Sequence, residues 1–339
     1  MKVSMWHTNN DVRVEEVPTP SPGPGEMLVK VISCGMCGSD IVEWYRLPRA
    51  PLVQGHEVGA EVIETGEGVS LYNKGDRLFI APKIPCLKCH YCINGHHPQC
   101  TSVKDRLPGG YAEYILVPRE LVKHGSYLLP DNVGYDQATF IEPLACVIRA
   151  QRLSAIKEDQ TILILGAGIS GLLHTKLAKL KNCKVIATDV DKYRLELAKR
   201  HGASHVIDAA TNVPEQVLDA NNGRKADAVV ITTSALPAFA QAWKSVDMGG
   251  TVVIYTVPGP EKEVVVPLND FWRKEIKILT SYYCGPDDIE ESLKLIAEGR
   301  ISVDELITHR LPLKETDKGF KMLSNGSESL KIIIKPQEG

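Results

Sequence analysis

What this sequence lacks narrows its function before any motif is read. No window approaches the about 18 uninterrupted apolar residues of a membrane-spanning helix, so no span is expected. The opening stretch "MKVSMWHTNNDVRVEEVPTPSPGPGE" has no apolar run of the signal-peptide kind and carries acids early. No export signal is read there, and the chain is expected in the cytoplasm. Neither sign of charge dominates: 39 Lys and Arg face 42 Asp and Glu, a formal net charge of -3. That balance argues against nucleic acid or an anionic membrane as a default partner. Internal repeats and low-complexity tracts are also missing. What is left is 339 residues, 43% hydrophobic and 24% charged, the balance of a globular chain long enough for two domains.

Cysteine is present and clustered. Of nine cysteines, four stand in "CLKCHYCINGHHPQC", at Cys86, Cys89, Cys92 and Cys100. In a reducing compartment such clusters bind metal more often than they form disulfides. Four thiolates at this spacing can close a tetrahedron around Zn²⁺ and leave no open position, so the expectation is a structural zinc that braces a loop. A disulfide pair is the competing reading. His90, His96 and His97 lie nearby, but four sulfurs fill the shell, and these are read as surface histidines.

The texture changes near residue 150. From Val12 to about Leu129 short alternating runs such as "MLVKVISCG" and "AEVIETG" read as half-buried strands, and "PTPSPGPGE" as a rigid loop. Beyond it, "QTILILGAGISGLLHTKLAKL" reads as strand, glycine turn and helix. "KVIATDV", "ADAVVITTS", "GGTVVIYTV" and "IKILTSYY" follow as buried strands of a parallel sheet, separated by helices. "DDIEESLKLIAEG" reads as an amphipathic helix and "LKIIIKP" as a final strand. The fold class expected is α/β: a mostly-β domain over 1–150 with the zinc lobe at 86–100, a doubly wound nucleotide-binding domain over 151–285, and a return to the first domain over 286–339.

The glycine turn carries chemistry. Gly166, Gly168 and Gly171 form GxGxxG between strand and helix, and Asp189 ends the next strand. The first glycine permits the tight turn, the second lets backbone approach a pyrophosphate, and the third lets helix pack on strand. The helix starting near Ile169 offers free N–H groups and a positive dipole end to the phosphates. Asp189 suits the ribose diol, and its charge opposes a 2′-phosphate, which favours NAD over NADP. Arg194 is either a surface charge or a contact on the adenine side.

A second metal site is assembled from distant pieces: Cys37 from "CGMCGSD", His56 and Glu57 from "GHEVG", and Glu142 from "FIEPLA". One thiolate, one imidazole and one carboxylate leave a fourth position for water or substrate, the pattern of a catalytic zinc. Each residue alone is weak, since a lone Cys is usually a small core hydrophobe and Glu57 can be a structural ion pair. Cys34 and Cys37 also make a C-x2-C, but no thioredoxin-like context surrounds it.

"CGMCGSD", "GHEVGAEVIETG", the four-cysteine lobe, "GGYAEY", "EPLA" and "GAGISG" occur together and in order. The chain resembles the zinc-dependent medium-chain dehydrogenase/reductase family over essentially its whole length, and most of all the sorbitol/polyol dehydrogenase-like branch. That resemblance implies a GroES-like catalytic domain with a Rossmann domain inserted, two zinc ions per chain, NAD, and assembly as a homodimer or homotetramer. It makes Cys37, His56 and Glu142 the catalytic zinc ligands, with Glu57 as a fourth or exchanging one. It also implies Ser39 as the group that takes the substrate proton while hydride passes to NAD⁺. The family position five residues after the catalytic Cys is often His; here it is Val42, so the proton must leave through water, Glu43 or Glu57. An arginine common near "SYYCG" is replaced by Tyr282 and Tyr283.

The function expected is therefore NAD-dependent oxidation of a secondary alcohol in a polyol, sugar or cyclitol, phosphorylated and amino-substituted ones included. "EWYRLPRAP" is expected to line the substrate cleft, with Arg46 or Arg49 there as candidates to meet a substrate phosphate. A threonine-type amino-alcohol or simple alcohol dehydrogenase is the alternative within the class. A zinc-ribbon-like nucleic-acid-binding protein is the alternative outside it, and it lacks the dense basic and aromatic interleaving such binding uses. A scaffold that has lost catalysis is the third reading, opposed by the joint presence of Cys37, Ser39, His56 and Glu142. Cys34, Cys146, Cys183 and Cys284 are read as buried or incidental.

Overall fold

The computed structural model describes residues 1–326 and 329–338. The chain forms two compact units, Met1–Ala145 with Cys284–Gly339, and Cys146–Tyr283. The first division falls inside the helix Ile141–Leu153, a few residues before the change in texture near 150.

The unit built from both ends of the chain is mostly strand. A hairpin joins Lys2–Thr8 to Asp11–Glu16 across Asn9 and Asn10, and Leu52–Val53 pairs on the other side of the first strand. Asn is one of the few residues that tolerates the backbone of so short a turn. The larger sheet is centred on Met27–Gly35, which pairs antiparallel with Glu57–Thr65, with Tyr114–Val117 at one end and with Lys331–Lys335 at the other. Arg77–Ile80 and Ser126–Leu128 extend it beyond Glu57–Thr65, and Ile307–Pro312 runs parallel to Lys331–Lys335 at the far edge. Met27, Val29, Val31, Val58, Ala60, Val62, Ile332 and Ile334 meet in its core. Their alternation along each strand is the period-2 pattern that sends one face inward.

The other unit is a six-stranded, all-parallel sheet. Its order is His205–Asp208, Lys184–Asp189, Thr161–Leu165, Ala226–Ile231, Val246–Ile254, Lys277–Thr280. Strand order reverses beside Thr161–Leu165, the first strand in sequence, which puts a crevice at its carboxyl end. All five residues of "TILIL" are buried, as a central parallel strand covered on both faces requires. His205–Asp208 is too short and too polar to stand out in the sequence, and only its pairing with Lys184–Asp189 makes it a strand. Among the described residues no helix is long and apolar enough to cross a membrane.

Candidate functional site

Cys37 is placed by backbone geometry rather than by a long element. It stands two residues past the strand Met27–Gly35 and caps the 3₁₀ turn Gly38–Ile41. Its sulfur accepts the Ser39 N–H at 3.4 Å, and its own N–H donates to Asp40 Oδ2 at 3.0 Å. His56 and Glu57 arrive from the start of the neighbouring strand Glu57–Thr65, whose register sets Glu57 opposite Gly35. The ligand-capable atoms of Cys37, His56 and Glu57 all lie within 4.8 Å of one another. Sequence spacing of 20 residues between Cys37 and Glu57 thus closes to one cluster because two adjacent strands begin and end at the same height.

Glu142 completes no group with those three inside that radius. It is buried at the first turn of the helix Ile141–Leu153, and its charge reaches the Lys331 ammonium.

Sequence reasoning missed three groups around the cluster, Asp40, Tyr111 and Lys331. Asp40, fully buried, sets Oδ1 3.4 Å from His56 Nδ1 and takes further hydrogen bonds from Tyr111 Oη at 2.7 Å and Arg46 Nη2 at 3.1 Å. Burial raises its carboxyl, but His56 and then Arg46 overrule it and bring the group down to about 2. Burial likewise works against a charged His56, yet Asp40 and Cys37 hold its pKa well above the ordinary histidine value. An imidazole whose Nδ1 faces a fixed carboxylate presents Nε2 to a metal, and such partners orient metal-binding histidines generally. Lys331 is the third. It is 1% exposed and its Nζ stands 2.5 Å from Glu57 Oε2, 274 residues away in sequence. Burial lowers its pKa and Glu57, then Cys37, more than restore it.

The residues fit a divalent metal. Glu57 Oε1 is buried without a hydrogen-bond partner beside a thiol and an imidazole, and an orphaned carboxylate oxygen there is what a cation would meet. Ser39 Oγ accepts a hydrogen bond from Arg46 Nη2 at 3.0 Å. Glu43, a candidate for onward proton transfer, instead accepts the Asn9 N–H at 2.9 Å.

The four-cysteine lobe fits zinc as well. The sulfurs of Cys86, Cys89, Cys92 and Cys100 lie within 4.8 Å of one another, with Cys89–Cys92 at 3.5 Å and Cys86–Cys92 at 4.0 Å. Sulfurs about 2.3 Å from one zinc ion sit about 3.8 Å apart at the corners of a tetrahedron. No cysteine is in a disulfide. Backbone N–H groups point at the sulfurs: Cys89 to Cys86 Sγ at 3.3 Å, and Cys86 to Cys100 Sγ at 3.2 Å. The Cys92 backbone contact is the largest influence that draws the Cys89 thiol down, to about 6. His90 and His96 are exposed and His97 is half-buried, outside this group. Cys34, Cys146, Cys183 and Cys284 are buried.

In the parallel-sheet unit, Gly166 has φ +102°, and a Cβ on Gly171 would collide with the Gly166 carbonyl. At Gly168, the N-cap of the helix Ile169–Leu180, a Cβ would meet no heavy atom within 4 Å. The turn therefore leaves an open cradle over a helix N-terminus, a fit for a pyrophosphate. Asp189, 7% exposed, accepts the Ala167 N–H on Oδ2 at 2.7 Å and the Asp191 N–H on Oδ1 at 3.0 Å. Arg194 lies 3.9 Å from Asp191.

Residues 23–127 match the family model "Alcohol dehydrogenase GroES-like domain" and residues 170–298 match "Zinc-binding dehydrogenase". The chain is 31% identical to a sorbitol dehydrogenase of Halalkalibacterium halodurans, covering 98% of each protein. It is 30% identical to an erythritol/L-threitol dehydrogenase of Mycolicibacterium smegmatis, over 99% of this chain and 98% of the other. A zinc-binding dehydrogenase structure from Sinorhizobium meliloti, bound to NADP, superposes with a TM-score of 0.88 at 30% identity, covering 99% of both chains.

Proposed function

The chain belongs to the zinc-dependent medium-chain dehydrogenase/reductase family, in its sorbitol/polyol dehydrogenase branch, and from that premise we propose that it oxidises a secondary alcohol of a polyol, sugar or cyclitol. The observation that carries this reading is the convergence of Cys37, His56 and Glu57, with Asp40 fixed behind the imidazole.

Cys37 and His56 would hold the catalytic zinc with Glu57 or Glu142 as the carboxylate, and the four-cysteine lobe a second, structural zinc. A catalytic zinc supplies a Lewis acid that makes a substrate hydroxyl acidic near neutral pH. Asp40 keeps the His56 ring in one tautomer and one orientation. Lys331 balances Glu57 so that two negative groups, thiolate and carboxylate, can share one buried place. Ser39 takes the substrate proton on the hydroxyl oxygen that Arg46 already orients. Val42 cannot pass that proton on, and Glu43 is held by Asn9, so it leaves Ser39 to water.

Gly166, Gly168, Ile169 and Gly171 would seat a dinucleotide, which would supply the hydride acceptor. NAD is favoured over NADP because the buried Asp189 carboxylate repels a 2′-phosphate, while Arg194 stands near Asp191. The protein works in the cytoplasm as a homo-oligomer. Trp272, Val265 and Leu268 are exposed near the edge strand Lys277–Thr280, an apolar margin that a second copy would cover.

The test is NAD⁺ and NADP⁺ reduction across polyols, sugars, cyclitols, amino alcohols and simple alcohols, with zinc counted on the same protein. Turnover of a polyol with NAD⁺ and two zinc ions per chain is expected. Preference for NADP⁺ would sink the Asp189 assignment, and turnover of small primary alcohols alone would sink the substrate class.

A further inference from the structure

One peptide group in the glycine turn of the parallel-sheet unit is held by side chains from both sides. The Gly166 carbonyl and the Ala167 N–H belong to the same trans peptide plane and point in opposite directions. Thr232 Oγ1 donates to that carbonyl at 2.8 Å, and Asp189 Oδ2 accepts that N–H at 2.7 Å. Asp189 ends the strand Lys184–Asp189, and Thr232 follows the strand Ala226–Ile231. These are the two strands that flank Thr161–Leu165. The peptide is therefore gripped from both neighbours, where the strand order reverses.

The sheet itself needs neither grip. The Thr232 N–H already continues the ladder by donating to the Leu165 carbonyl at 2.9 Å. Its hydroxyl lies 3.0 Å from that same oxygen and reaches one residue further, to Gly166. On the other side the Gly166 N–H completes the ladder with the Thr188 carbonyl at 2.9 Å, so the Asp189 carboxylate is also an addition. That carboxylate is itself fixed, since the Asp191 N–H donates to Oδ1 at 3.0 Å. Thr232 Oγ1 also stands between two glycines: Cβ atoms on Gly166 and Gly171 would lie 2.9 Å and 3.2 Å from it.

What such a turn does need is orientation. At φ +102° Gly166 occupies a region that favours glycine, a residue whose backbone has more freedom to lose than any other. Gly168, the N-cap of the helix Ile169–Leu180, has no side chain to meet the first-turn N–H groups. Their direction is set upstream, by the plane of the Gly166–Ala167 peptide. Rotation of that plane would aim them away from a pyrophosphate.

We propose that Thr232 is a positioning residue for the dinucleotide, forming with Asp189 a clamp on the Gly166–Ala167 peptide that aims the helix N-terminus at the pyrophosphate. Asp189 then has two tasks, and ribose recognition and pyrophosphate binding are mechanically joined. Cofactor choice is affected as well. Removing the carboxylate to admit a 2′-phosphate also frees the turn, so NADPH binding is not gained. This rests on the dinucleotide reading given above and deepens it.

Fluorescence titration of NADH and NADPH and calorimetry of ADP-ribose, all on the zinc-loaded full chain, test the clamp beside melting temperatures. Thr232→Val keeps the side-chain shape and removes the hydroxyl, and Thr232→Ser keeps the hydroxyl. Valine is expected to weaken NADH and ADP-ribose by about tenfold, the scale of one hydrogen bond, and serine to restore most of that. Thr232→Ala should repeat the loss if valine packs badly. Asp189→Ala is expected to lose affinity for NADH and NADPH alike. Equal NADH affinity in the parent, Thr232→Val and Thr232→Ala overturns the clamp and leaves the dinucleotide reading standing, whatever happens to the melting temperature. A gain in NADPH binding by Asp189→Ala would reduce Asp189 to a ribose contact and overturn the joint action. A parent chain that binds none of the three ligands overturns the dinucleotide reading, and the clamp with it.

Discussion

The two cysteine-bearing clusters solve the same problem in opposite ways. The lobe gathers Cys86, Cys89, Cys92 and Cys100 from 15 consecutive residues, and its thiols are supported mainly by backbone N–H groups of the same loop. The cluster at Cys37 gathers its members from two strands and then needs Asp40, Tyr111, Arg46 and Lys331 to hold them, the last of these 274 residues from its partner. A closed, local cluster can be built by a loop alone. One that must leave a position open for substrate has to be fixed from outside, by the fold.

If that contrast is right, the largest difference should come from removing one sulfur from each. Cys37→Ser is expected to lose one zinc and more activity than the roughly 10–100-fold that follows loss of an outer partner. Its melting temperature should move little. Cys92→Ala is expected to lose one zinc and melt lower, with turnover of the surviving folded protein largely kept. Full turnover in Cys37→Ser would end the catalytic assignment.

Lys331→Met comes next. Breaking a buried pair leaves Glu57 uncompensated and is expected to cost about 3–5 kcal/mol in urea unfolding. Adding Glu57→Gln should recover much of that stability while metal content stays low. A loss no larger in the single variant than in the double would show that the pair is not coupled.

Asp40→Asn is predicted to weaken zinc retention by about 10–100-fold in chelator competition, and to do so without unfolding the strands. An unchanged zinc affinity would move Asp40 from orienting His56 to simple packing.

The smallest effect expected is in the frame behind the cluster. Asp136 accepts from Ser33 Oγ at 2.6 Å, Lys335 Nζ at 2.9 Å and Arg310 Nε at 2.7 Å, tying the last strand to the central one. Burial opposes its charge, but Ser33, Lys335 and Arg310 pull its pKa below 3.8. A carboxyl depressed in the folded state contributes stability that is complete above its unfolded pKa and is lost as pH falls through the folded one. The difference in urea midpoint between the protein and Asp136→Asn should therefore be constant near neutrality and shrink below about pH 4. A difference flat through the acid range would mean that the network contributes by packing alone.

Legibility in the sequence follows the same division. The lobe and the glycine turn are local, so spacing alone exposed Cys86 to Cys100 and Gly166 to Gly171. The parallel strands were visible as buried apolar runs, and the short polar strand His205–Asp208 was not, because pairing creates it. Cys37, His56 and Glu57 were found through their motifs, and the structure brings them together. Glu142 was read with them but stands outside that group. Asp40, Tyr111 and Lys331 were overlooked, although "LKIIIKP" did hold a clue. A lysine in the middle of a strand that is otherwise apolar has to find a buried counter-charge, and only the sheet order, with Lys331–Lys335 against Met27–Gly35, reveals that it is Glu57.

That strand order sets a timetable for biosynthesis. A ribosome will have released Cys37, His56 and Glu57 into solvent long before it decodes Lys331. Until then the central sheet lacks a neighbour along part of one edge, and Glu57 has no ammonium to meet. The four sulfurs of the lobe can come together while the chain is still growing, but the cluster at Cys37 gains its counter-charge only after translation of the last strand.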